Sequence, residues 1–88
     1  MKTYLVTFDH KELDEMESYA AIESLKKFSG WAKLFPGVWL VKSDDSAEEV
    51  FNRIIFPKDE RIVVIKVELA EYYGLHSGDI WDWVRSNI

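Results

Sequence analysis

The opening stretch Lys2–Asp9, KTYLVTFD, most constrains what this chain can fold into. Residues of one parity (Tyr4, Val6, Phe8) would line one face of a strand, and Thr3, Leu5 and Thr7 the other. β-branched and aromatic residues favour extended backbone. Neither row is strongly polar, so the strand belongs inside a sheet with both faces at least partly covered. The stretch ends on a carboxylate, Asp9, where the chain should leave the sheet.

The rest of the chain supplies that cover. His10–Asp14 is charged and reads as loop, and Asp14 with Glu17 three residues on has the spacing of an acidic helix cap. From Glu15 to about Phe28 the period is helical, with Ala21, Ile22, Leu25 and Phe28 on one face. Met16, Tyr19 and Ala20 fall on another side, as cover for a loop or as an extra contact surface. Gly30 reads as a left-handed helix cap. Trp31–Phe35 and Val38–Lys42 flank a Pro36-Gly37 turn and read as a hairpin, with Trp31, Lys33 and Phe35 on one side.

Ser46-Ala47-Glu48-Glu49 matches a capping box. The helix behind it carries Ala47, Val50, Phe51 and Ile54 as a buried stripe, and Pro57 limits it to about Ile55. Ile62–Leu69 is the strongest strand. It sets Val63, Ile65, Val67 and Leu69 on one face, and Ile62, Val64, Lys66 and Glu68 on the other. Ser77–Ile88 suits a short helix capped by Ser77, with Ile80, Trp83, Val84 and Ile88 as its stripe.

The order is therefore β-α-β-β-α-β plus a terminal helix. This predicts an α+β, ferredoxin-like domain spanning residues 1–88, an antiparallel sheet with two helices on one face. Such a sheet leaves its second face bare. Apolar residues on both faces of the first and last strands predict a homodimer that buries this face or an edge. The terminal helix and Tyr72-Tyr73 would help to cover it. Trp81, on the flank of the last stripe, is expected to be the most exposed tryptophan or to touch a partner.

Composition narrows the function classes. With 88 residues, one domain is expected. Hydrophobic residues at 48% and aromatics at 15% are rich for this length, which favours apolar surface covered by a partner. The absence of cysteine excludes disulfides, thiolate metal sites and cysteine nucleophiles. The N-terminus does not read as a signal peptide, and no apolar run reaches membrane-span length, so a cytoplasmic protein is expected. A net charge of −5, with Lys26–Lys27 the one adjacent basic pair, counts against nucleic-acid binding by a monomer. A basic patch built across a dimer remains compatible with it.

Three pieces, TYLVTFD, PGVWLVKSDDSAEEV and DIWDWVRSNI, together resemble the SinR-family proteins of bacteria and phages. These are small domains similar to the CRISPR-associated dimeric nuclease subunit of spacer acquisition. The likeness spans nearly the whole chain. It implies ferredoxin-like protomers pairing through their sheets. It also implies that Asp9, with its dimer mate, binds a divalent metal such as Mg2+ for phosphodiester cleavage. Phe8 stands here where those relatives have Tyr.

On the residues alone, Asp9 has two readings: a metal ligand, or a carboxylate that stabilises the turn after a strand. His10, beside it, reads as an acid or base or as a solvated loop side chain. His76 has no companion in sequence. Asp44-Asp45 and Asp79/Asp82 sit near helix starts, where negative charge is favourable anyway. No phosphate-binding glycine loop, HExxH or Ser-His-Asp signature is present. The functional expectation is a dimeric binding or assembly protein. Its alternatives are a metal-dependent endonuclease acting on RNA or DNA through Asp9, and an acidic phage or host interaction protein that occupies a partner's charged surface.

Overall fold

A computed structural model describes residues 1–87. Strand β1 (Lys2–Phe8) leads through a short 3-10 turn (His10–Glu12) into helix α1 (Glu15–Leu25). The hairpin β2 (Gly30–Phe35) and β3 (Val38–Ser43) follows, then α2 (Ala47–Arg53), β4 (Ile62–Val67) and α3 (Gly78–Ser86). The four strands form one sheet in the order β2-β3-β1-β4, antiparallel throughout. The fold is α+β with the ferredoxin-like strand order, and β1 is central as its two apolar faces require.

Residues paired across strands share a face. Tyr4, Val6, Trp39 and Val41 point to the side that carries α1 and α2. There Leu25 and Phe28, Val50 and Ile54 close the main core. Tyr4 is buried yet donates its hydroxyl proton to the Asp45 carbonyl at 2.6 Å. Burying a polar group without such a partner is costly. Ser24 does similar work between elements. Its hydroxyl donates to the Ala21 carbonyl at 2.7 Å and accepts from the Ile55 amide at 3.0 Å, which ties the chain after α2 to α1.

The starts of α1 and α2 are capped as the sequence predicts. Asp14 accepts from the Glu17 amide at 2.8 Å and Ser46 from the Glu49 amide at 3.2 Å, with both glutamates reaching back. The end of α1 differs from expectation. The helix stops at Leu25, and the chain to Phe28 is held by tighter turns, Lys27 N–H to Ser24 O and Phe28 N–H to Leu25 O. Gly30 is no helix cap: among the described residues no glycine has positive φ. It opens β2 opposite Lys42, whose Cγ would stand 3.0 Å from an added Cβ. A bare backbone is needed there to seat the Lys42 side chain.

Three further expectations are corrected. A bulge between Lys33 and Phe35 pairs Phe35 with Val38, so Phe35 leaves the face of Trp31 and Lys33. Phe51 is exposed rather than part of the buried α2 stripe, since this short helix buries only Val50 and the cap Ile54 fully. The last strand stops at Val67, two residues short of Leu69.

Helix α3 packs on the second face of the sheet. Val84 joins Leu40 and Ala32 in a smaller core, with Ile80, Trp81 and Trp83 half-buried against it. Ile88 of the expected stripe lies outside the described residues. The Lys42 ammonium donates to Thr3 Oγ1 at 3.1 Å and to the Asn87 carbonyl at 3.3 Å. This cation therefore sits at the C-terminal end of α3, where free carbonyls favour positive charge. Among the described residues no helix is long and apolar enough to cross a membrane.

Candidate functional site

Asp9 lies just past β1, beside the hairpin turn that Phe8 holds with an amide bond to the Gly37 carbonyl at 2.9 Å. Its exposed carboxylate accepts from the Lys11 amide at 3.1 Å and caps the 3-10 turn. His10 belongs to that turn and is exposed. Among the described residues no three of His, Asp and Glu gather as metal ligands.

Asp44 and Asp45 do not act as a pair. Asp44 lies 3.8 Å from the N-terminal amine, while Asp45 takes Arg53 at 2.8 Å. The Arg53 hydrogen bond, helped by the Ser43 hydroxyl, holds the Asp45 carboxyl below its ordinary value. The same guanidinium stands 4.1 Å over the Phe28 ring and so fastens the α2 end to the core. Asp82 is engaged by Arg85 at 2.6 Å along one face of α3.

The aromatic candidates Tyr72, Tyr73 and Trp81 come together. They line an apolar groove of about 470 Å³ between α3 and the β2–β3 end of the sheet. Tyr72 stacks on Trp81 with ring centroids 6.0 Å apart, and Tyr73 stands free in solvent. Trp81 is half-buried by this stacking, so the most exposed tryptophan is Trp31. Trp39 is fully buried, and it packs against Trp31 at 5.5 Å.

His76 turns out to have partners that its sequence position hides. Nε2 stands 2.6 Å from the Leu34 carbonyl, and Nδ1 accepts from the Ser77 amide at 2.8 Å. The second bond makes Nδ1 the bare nitrogen, so the proton is on Nε2 and donates to Leu34. The Ser77 hydroxyl, expected to cap α3, makes no capping bond, and the imidazole satisfies only the Ser77 amide. It also pins the incoming loop to β2, with its ring edge-on to Phe35 at 5.6 Å. The bulge that redirects Phe35 is what makes this contact available.

Besides the aromatic groove, apolar side chains among the described residues also stand exposed on each side of the sheet. On the second sheet face, α3 covers the β2–β3 half, while Val63 and Ile65 of β4 stay about half exposed, at 47% and 52%. On the helical side, Met16 of α1 adjoins Ile55 across a shallow cleft, with exposed Tyr19 in the hollow on the other side of Met16. Alternation in the sequence assigns Val63 and Ile65 to one face correctly. It does not reveal that α3 stops short of them. No protein-family model, curated protein or solved structure matches the chain.

Proposed function

We propose that this chain is a small homodimeric binding and assembly protein of the SinR-like kind, pairing through the β4 side of its sheet. The supporting observation is the contrast between the two sheet edges. At the β2 edge, the bulge and the exposed Lys33 interrupt any further ladder. Bulges and lysines are common protections of an edge. The β4 edge, IVVIKV, has no register irregularity and carries one lysine, and its Val63 and Ile65 are bare. An open, regular, apolar edge strand is a template for another strand.

A second copy meets that template without new chemistry. Antiparallel pairing about a two-fold axis is self-complementary, and like faces must oppose. Centred on Val64, it sets Val63 of each chain opposite Ile65 of the other. The apolar strips that α3 leaves open then lie side by side, Val63 of one copy against Ile65 of the other.

Light scattering on the wild type and on Ile65→Lys tests this reading. The expected result is a dimer at micromolar concentration that Ile65→Lys converts to monomer. A monomeric wild type, or a variant that stays dimeric, overturns it.

A further inference from the structure

On the opposite, helical side of the molecule, the cleft between α1 and the segment after α2 is built rather than incidental. Its volume is about 330 Å³, with Met16, Ala20, Ile55, Phe56 and Pro57 on its walls. The Ser24 hydroxyl holds the Ile55 amide, so the wall stands at a set distance from α1. Three large apolar side chains project beside the cleft instead of closing it: Met16 is 83% exposed, Tyr19 68% and Ile55 60%. Adjoining exposed apolar groups of this kind mark interaction sites more often than single ones do. Methionine and tyrosine are over-represented at such sites.

On the α1 side the rim is acidic. Glu17, in the first turn of α1, lines the cleft, and Glu15 lines the adjoining hollow along the same helix. Glu60 stands close enough to Glu12, Asp59 and Glu17 that partial burial, then these neighbours, push its carboxyl above the ordinary value. Lys58, Glu60 and Arg61 lie beyond Pro57, in the neighbouring hollow that Phe51 lines. The charge selects among occupants. A second copy docked here would set acidic rim against acidic rim. Anionic lipid and nucleic acid meet the same repulsion, reinforced by the net charge of −5.

We infer that this cleft is a docking surface for a basic amphipathic segment of another protein. Its apolar anchors enter between Met16 and Ile55, and its Lys or Arg side chains meet Glu15 and Glu17 on the α1 side. A helix laid in a groove with anchors on one face fits this layout. The cleft opens on the helical side, whereas Val63 and Ile65 belong to the other face of the sheet, so the inference does not rest on dimerisation, and the two can fail separately.

The test is fluorescence anisotropy with a labelled helical peptide carrying one Leu face and one Lys face. A scrambled peptide of the same composition, and one with Glu in place of Lys, serve as comparisons. The expected result is saturable binding of the first peptide alone. It should weaken by at least about tenfold in Met16→Ser/Ile55→Ser, the loss of one anchoring cluster. It should also weaken in Glu15→Lys, while Ile65→Lys leaves it intact. Tyr19→Ser, a single exposed change in the hollow beside Met16, gives the same reading if the double variant melts early. Equal binding of the scrambled peptide overturns the inference, because charge alone would then suffice. So does unchanged binding in the cleft variants. A loss of self-association in Met16→Ser/Ile55→Ser also overturns it, since the occupant would then be a second copy.

Discussion

Replacing Gly37 by alanine is a sharp test of how β1, the hairpin turn and the Asp9 region are locked together. Gly37 does not owe its place to backbone conformation, since no described glycine has positive φ. The demand is steric. An added Cβ would overlap the Phe8 carbonyl oxygen and lie 3.2 Å from the Phe8 carbonyl carbon. Both obstacles are backbone of the central strand, so no side chain can swing away. Overpacking of this kind costs about 1–3 kcal/mol. If relief stretches the Phe8 amide bond to the Gly37 carbonyl, a further ~1 kcal/mol is lost. At roughly 5 °C per kcal/mol for a domain of this length, Gly37→Ala should melt about 10–20 °C below wild type. Thermal unfolding by circular dichroism reads this directly. Gly78→Ala is the control: nothing lies within 4 Å of its added Cβ, and it sits at a helix start. It should be neutral or stabilising by a few tenths of a kcal/mol, roughly. If Gly37→Ala melts with the wild type, the close approach of the turn to β1 is wrong, and so is the placement of Asp9 beside it.

Lys42→Met removes the cation that joins Thr3 to the end of α3 and should destabilise by about 1–3 kcal/mol. Hydrogen exchange should rise first in α3, and uniform protection there refutes the anchoring role. Asp45→Asn tests the Arg53 pair. Because folding lowers the Asp45 value, its contribution is present above the ordinary 3.8 and lost as pH falls through the folded value. The variant should be less stable at neutral pH and converge on wild type in acid below 3.8. A gap that persists at the lowest pH rules the pairing out as its cause. Asp9→Ala removes the cap on the 3-10 turn, an exposed bond worth about 0.5–1 kcal/mol. For a cap alone, Mg2+ should leave both melting curves unchanged. A Mg2+-dependent rise in wild type that Asp9→Ala lacks would assign the residue to metal instead.

Much of the element order was legible because its signals are local. Period-two alternation over Lys2–Phe8 and Ile62–Val67, and the two capping boxes at Asp14 and Ser46, involve residues only a few positions apart. The alternation also sorted Val63 and Ile65 from Ile62 and Val64 before any packing was known. The candidate site was less legible. Asp9 and the aromatic cluster of Tyr72, Tyr73 and Trp81 stood out by residue type, yet His76, Lys42 and Gly30 did not. Their partners are 42, 45 and 12 positions away, at Leu34, Asn87 and Lys42.

What the sequence determined by itself is that a strand apolar on both sides opens the chain and must lie inside a covered sheet. Side-chain alternation and helical period are properties of the backbone and need no partner. Tertiary structure alone decided how that cover is shared. The register of β3 against β2 places a bulge that turns Phe35 toward His76, and α3 settles over one half of the second face. The other half, with Val63 and Ile65, is left bare because exposure depends on where distant elements end.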